Sequence, residues 1–301
     1  MRTNTAETDR TAYLFLLPAV VILGLFLIYP ILWSFLASFR RIGIAELAGI
    51  RLWTQPGEWV GLDNYRSLLR SRIFWTSLRN TAWFSLLFIP GTLVASLGMA
   101  LLVRKGLRGV SVFRVLFFLP YVVSIVAAGL AWRWMFDSEH GLVNAIVATA
   151  GGTGPDWFGT PALAMGVVAL MCVWRWSGYF MLIFLAGLEG IPTSLYEAAD
   201  VDGARAWMTF RRVTLPMLRR PMLFALIVLL IRAQNVFQEV YVMTGGGPGN
   251  STVTTAFLIW GTAFRSFRIG SGAALSYMLF FFVVMASIAQ IALLRRARRL
   301  R

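Results

Sequence analysis

Two short runs of this sequence bring together side chains suited to a polyhydroxyl ligand. In the first, Arg175 and Tyr179 stand four residues apart, so on a helix they share a face, and Trp174 and Trp176 flank them. In the second, Arg232, Asn235 and Glu239 recur at helical spacing, with Gln234, Gln238 and Tyr241 on the adjacent face. Aromatic rings stack on the C–H faces of a sugar, while amides and guanidinium groups hydrogen-bond its hydroxyls. Both runs lie in strongly apolar surroundings, where an ionisable side chain is expensive and turns toward a bundle interior or a wet cavity. A purely structural role is also open: Arg175 and Arg232 could anchor helices by pairing with Glu239 or with backbone carbonyls. Trp33, Trp75, Trp83 and Trp132 fall near the ends of apolar segments and read as interface anchors.

Covalent and metal chemistry find little to work with. His140 is the single histidine, in an expected external loop beside Glu139, and no Ser/His/Asp, Cys/His or metal-ligand set can be assembled around it. Cys172 is the single cysteine, cannot form an internal disulfide, and reads as a small buried hydrophobe. The pattern GxxxxGK[ST] is absent, so ATP is not expected to bind through a P-loop. The run "TGGGPGNST" (244–252) has no lysine, contains Pro248 and reads as a tight turn. The net charge of +15 suggests no nucleic-acid partner. Its arginines are spread as topology determinants and contacts to anionic lipid, with no basic recognition motif among them.

The elements that must position these residues are membrane helices. Hydrophobic residues make up 58% of the 301 and the mean hydropathy is +0.71, far from a water-soluble globule. No charge occurs from Thr11 to Phe39, which is longer than the ~20 residues a helix needs to cross a bilayer. A retained first span is expected at 13–39. Five more are expected at 80–103, 115–132, 161–188, 221–242 and 273–294, all within a single membrane domain of 1–301. The shorter apolar piece 252–264 reads as an interfacial or re-entrant helix. Basic residues near the span ends place both termini in the cytoplasm. The segment 1–12, the Arg104 to Arg114 turn, the loop 189–220 and the tail 295–301 then fall on the same inner side.

The loop 189–220 contains "EAADVDGARAWMTFRRVTLP" (197–216). Ser194 and Glu197 have the spacing of a capping box, which starts a short helix after Pro192. Gly203 can take a left-handed turn, and a second helix, "ARAWMTFRR", should follow until Pro216 and Pro221 halt it. The charge pattern alone would also describe an ordinary surface loop. The spacing is more specific, because Glu197-Ala198-Ala199, Gly203 and Val213-Thr214-Leu215-Pro216 closely resemble the EAA loop, EAA-x3-G-x9-I-x-LP, of permease subunits in binding-protein-dependent ABC importers. Val213 replaces the usual isoleucine. "GLDNY" (61–65), "RNTAWF" (79–84), "FRVLFFLP" (113–120), "GLVN" (141–144), "LAGLEGIP" (185–192) and "VYVMTGGGP" (240–248) resemble the carbohydrate-uptake branch of that family.

The resemblance implies an all-α integral membrane protein of about six transmembrane helices with the type I importer permease fold. It implies a multi-pass subunit of a bacterial inner membrane, carrying a sugar, oligosaccharide, related polyol or glycerol phosphate. Its loop, through Glu197, Ala198, Ala199, Asp200, Gly203, Leu215 and Pro216, would dock on a separate ATPase. The expected partners are a second homologous permease subunit in a heterodimer, an ATPase dimer holding ATP and Mg, an external substrate-binding protein and the lipid bilayer. No cofactor is expected in this chain. Arg175, Trp176, Tyr179, Arg232, Asn235, Gln238 and Glu239 are the candidate pathway residues. A secondary transporter, for which the sequence shows no internal repeat, and a polytopic membrane enzyme, for which acids and histidines are too sparse, are the alternatives.

Overall fold

The computed structural model describes residues 15–43, 57–104 and 109–299. The segments 1–14, 44–56, 105–108 and 300–301, which include the expected N-terminal segment 1–12 and the end of the basic tail, lie outside the described residues. The described chain is almost wholly helical. In order it comprises α1 (Phe15–Ala37), β1 (Arg40–Arg41), β2 (Glu58–Trp59), α2 (Asp63–Arg70), α3 (Arg72–Val103), α4 (Val110–Val122), α5 (Ile125–Met135), α6 (Leu142–Thr149) and α7 (Pro161–Glu189). Then follow α8 (Thr193–Val201), α9 (Ala206–Met217), α10 (Arg219–Gln234), α11 (Gln238–Met243), α12 (Thr255–Trp260) and α13 (Ile269–Arg299). Contacts group the chain into two compact units, residues 1–71 with 259–282, and residues 72–258 with 283–301.

In the first unit a two-residue antiparallel ladder pairs Arg40 with Trp59 and Arg41 with Glu58. Asn64, from the "GLDNY" run, is its hub. Its amide nitrogen donates to the carbonyls of Ser38 and Arg40, both at 2.9 Å, and its oxygen accepts from Ser271 Oγ at 3.1 Å. A buried side-chain amide filled on both ends in this way replaces strand pairing the short ladder lacks.

The second unit holds the apolar core, where Phe84, Phe88, Phe180, Phe184 and Leu188 are essentially buried. Its polar motif residues clamp loops. Asn80 donates to the carbonyls of Asn250 (2.8 Å) and Val253 (3.0 Å), and Thr81 Oγ1 accepts from the Thr255 N–H at 2.9 Å, which fixes the glycine-rich turn. Asn144 donates to Ser138 and Pro155 carbonyls while accepting from Trp157 Nε1 at 2.7 Å. His140 is a loop residue beside Asp137, whose carboxylate accepts the backbone N–H groups of His140 and Glu139 and is held below its usual pKa by those bonds.

Of the six expected spans, α1, α3 and α7 are each long and apolar enough to cross a membrane unaided. Two bent pairs, α4 with α5 at 96° and α9 with α10 at 67°, raise that to five, and 269–285 within α13 is a shorter apolar helix. The bend after α4 follows Pro120, which removes one helical hydrogen bond. Val123 and Ser124 then go extended, with ψ of 141° and 131°. The expected span 221–242 is likewise broken: α10 stops at Gln234, and α11 restarts at Gln238. Arg232, Asn235 and Glu239 therefore do not share one helical face, a correction to the helical-spacing reading.

Two local expectations at the loop 189–220 also change. The capping box is not made. Pro192, with its extended ψ of 132°, is itself the residue before α8, which begins at Thr193 and so carries Ser194 inside the first turn. Pro216 is carried inside α9 rather than preceding its end, and the helix stops one residue later at Met217, between Pro216 and Pro221, where the chain bends by 67°. A wider π turn, Phe210–Thr214, precedes Pro216 and shifts the bonding register around its missing N–H. Pro221 falls in the first turn of α10, where N–H groups have no helical partner anyway.

Candidate functional site

The two helix breaks face one cavity of about 520 Å³. Phe84 and Phe88 of α3, Tyr121 of α4, Ile125 of α5 and Cys172, Arg175 and Trp176 of α7 form part of its wall. Arg232 of α10, the linker Asn235 to Phe237, and Gln238 and Glu239 of α11 complete it.

Each break exposes backbone groups that apolar surroundings cannot satisfy, and irregular backbone at that depth persists only where protein or a wet cavity answers it. Arg175 Nη1 donates to the Val123 carbonyl at the first break. At the second, Thr254 Oγ1 donates to the Val236 carbonyl at 2.7 Å, and Asn235 Nδ2 donates to Ile231 O at 2.8 Å. Arg175 thus takes the carbonyl-anchoring role, although its Nε is buried with no hydrogen-bond partner. Arg232 places its guanidinium 4.7 Å from the centroid of the Trp176 ring, within cation–π reach. Its helix-end position also suits the dipole. Among the described residues neither arginine forms an ion pair with Glu239 within 4.0 Å.

Six of the seven candidate pathway residues line the cavity: Arg175, Trp176, Arg232, Asn235, Gln238 and Glu239. Tyr179 does not. Its ring stacks behind Tyr121 with centroids 4.9 Å apart at 27°, and Tyr121 takes the lining position. The packing of α4 on α7 lays a second helix's tyrosine over the first. Tyr121, Phe84 and Phe88 were missed from sequence, although Tyr121 directly follows the helix-breaking Pro120 and could have been marked by it. Gln234 and Tyr241 lie outside the lining.

At the loop 189–220 the turn is a Schellman motif built on Gly203, which has φ of +70°. The Ala204 N–H reaches back to Ala199 O (2.9 Å) and the Gly203 N–H to Asp200 O (3.0 Å), so the end of α8 and the turn are one hydrogen-bonded unit. Glu197, Ala198 and Asp200 are exposed on α8, Ala199 is half-buried, Leu215 is half-buried and Pro216 is exposed at the end of α9. Around them stand apolar side chains with no cover, including Val201 at 88% exposure and Trp207 at 69%, a surface of the kind that marks an interaction site. A groove of about 880 Å³ runs between α3, α8 and α9. At its edge Arg104 stacks over Tyr196 at 4.5 Å and donates to its hydroxyl at 2.9 Å, and that hydroxyl lies 3.2 Å from Thr214 Oγ1. The end of α3 is thereby tied to both helices of the loop.

Residues 91–299 match the family described as "Binding-protein-dependent transport system inner membrane component". A probable ABC transporter permease of Pyrococcus horikoshii is 35% identical, covering 88% of this chain and 89% of its own length. The sulfoquinovosyl glycerol transport system permease protein of Agrobacterium fabrum is 36% identical over 89% of this chain and 85% of its own. The trehalose/maltose transport system permease protein of Thermococcus litoralis is 33% identical over 93% and 92%. Among solved structures, a chain of a bacterial alginate ABC transporter in complex with a pentasaccharide-bound periplasmic protein shares the fold, with a TM-score of 0.82 at 20% identity over 97% of this chain and 96% of that one.

Proposed function

We propose, from the premise that this chain belongs to the inner membrane components of binding-protein-dependent transport systems, that it is the permease subunit through which a sugar, oligosaccharide or related polyol enters the cell. The cavity carries this reading: rings of Trp176 and Tyr121 stand beside the amides of Asn235 and Gln238 at two broken helices, the setting in which membrane transporters place their substrates. Relatives of 33% to 36% identity named for sulfoquinovosyl glycerol and for trehalose and maltose support the cargo class. The chain is a transport subunit and not an enzyme. In our reading an ATPase dimer supplies ATP hydrolysis and Mg. A second permease subunit completes the pathway, and an external binding protein delivers the cargo.

In the same reading Glu197, Ala198, Ala199, Asp200, Gly203, Leu215 and Pro216 are the ATPase-docking residues, and both termini lie in the cytoplasm of a bacterial inner membrane. Purification from native cells is expected to bring down an ATPase and a second permease with this chain. In a Cys172→Ala background, a cysteine at Ser194 should react only with reagents that reach the cytoplasm, and one at Asn250 only from outside. Both on one side would overturn the orientation, and a chain purified without an ATPase would overturn the function.

Tyr121 rather than Tyr179 lines the cavity, and in our reading it is the tyrosine that meets the cargo. Tyr121→Ala is expected to lower uptake per assembled complex by about tenfold, the loss of one stacking surface of roughly 1–1.5 kcal/mol. Tyr179→Phe keeps the supporting ring and should leave uptake near wild type. Equal losses in both would remove Tyr121 from the pathway.

A further inference from the structure

We propose that the cargo of this cavity is an anionic sugar, one bearing a carboxylate, sulfonate or phosphate group, and that Arg232, with Arg175 beside it in the same wall, receives that group. The proposal rests on the reading of the chain as a sugar permease.

The lining carries two guanidinium groups, Arg175 and Arg232, against one carboxyl group, Glu239. Positive charge is therefore in excess. Among the described residues no ion pair cancels either guanidinium. Ionisable side chains that face a wet cavity inside a membrane protein mark substrate pathways.

The donors are as unfilled as the charge. Arg175 spends Nη1 on the Val123 carbonyl, while its Nε is buried without a partner. Arg232 lies over the face of Trp176. Among the described residues its guanidinium N–H groups have no hydrogen-bonded acceptor, so they are open to fork onto two oxygens. Its exposed side chain opens into the cavity.

A neutral sugar would need only the ring faces and the amides of Asn235 and Gln238. It could fill the open donors but would gain nothing from the excess charge. A carboxylate, sulfonate or phosphate fills both at once. The helix-dipole benefit of Arg232 at the end of α10 uses no donor and competes with none of this.

The test uses the complete importer, this chain with its partner permease, ATPase and binding protein, in proteoliposomes. The probe is a mixture of neutral mono- to tetrasaccharides and their counterparts bearing uronic acid, sulfonate, sulfate or phosphate groups, and mass spectrometry identifies what accumulates inside. Accumulated species are expected to carry an anionic group. Arg232→Met, which keeps an apolar chain over Trp176, should lower their accumulation relative to neutral species by about tenfold or more, and Arg232→Lys, which keeps the charge but not the fork, by less. Accumulation of neutral species alone would overturn the proposal and leave the sugar-permease reading standing. Anionic species whose accumulation Arg232→Met does not change would overturn the assignment to Arg232. If no sugar of either kind accumulates while ATP is hydrolysed, the sugar-permease reading falls and this proposal with it.

Discussion

Gly178→Ala is expected to collapse the yield of folded protein, although it adds a single methyl group. Gly178 is buried on α7 where α4 crosses it. A Cβ there would meet the Phe117 carbonyl oxygen, with the Phe117 carbonyl carbon at 2.6 Å and Phe118 Cα at 2.9 Å. All three are backbone atoms, so no side chain can swing aside, and α4 must move away from α7. Overpacking costs about 1–3 kcal/mol where a core can adjust, and more where it cannot. A typical stability of about 5–15 kcal/mol leaves little room for that loss. The displacement also reaches the cavity. Tyr121 is one turn beyond Phe117 on α4, and the Val123 carbonyl held by Arg175 lies just after that helix. Monodisperse protein recovered after detergent extraction should fall severalfold and its melting temperature by several degrees. Gly166→Ala, on the same helix but with nothing within 4 Å of the new methyl, is the control and should behave as wild type. Normal recovery of Gly178→Ala would show that α4 and α7 do not meet at this distance.

Gly203→Val is expected to leave the protein inserted and recoverable yet reduce cargo uptake by at least tenfold, on the order of 1.4 kcal/mol in coupling. A Cβ at Gly203 would meet nothing within 4 Å, so the penalty lies wholly in the backbone. Left-handed backbone costs an ordinary L-residue roughly 1–2 kcal/mol, and a β-branched one resists it further. Escaping that conformation breaks the two bonds that join Ala204 to Ala199 and Gly203 to Asp200. The end of α8 is then no longer tied to the turn that aims α9. Gly203→Asn, a residue that accepts the left-handed region, should retain most uptake. Uptake, co-purified ATPase and membrane level measured together separate lost docking from lost protein. Full uptake in Gly203→Val would remove the turn from the coupling pathway.

What could be read in advance follows from which interactions are local. Span lengths come from runs of apolar residues, so α3 and α7 stand within a few residues of their expected ends at Val103 and Leu188, except that α3 begins earlier, at Arg72. The turn at Gly203 was legible because one residue type tolerates positive φ without a partner. The capping box was not, because its spacing is local but Pro192 competes for the same turn and moved the helix start.

The sequence by itself determined the class of the protein, the family, and the polar side chains that had to find a wet place inside the membrane, since burial of a guanidinium or an amide is expensive wherever the chain leads it. The tertiary structure alone decided how they meet. A helix can break beside Val123 and Val236 only because Arg175 and Thr254 arrive from elsewhere in the chain to satisfy the freed carbonyls. Once it breaks, helical spacing ceases to predict faces. That is why Asn235, Gln238 and Glu239 reached the cavity from a linker and a second short helix rather than along one continuous face, while Tyr121 took the place expected of Tyr179 because α4 packs its ring onto the unbroken α7.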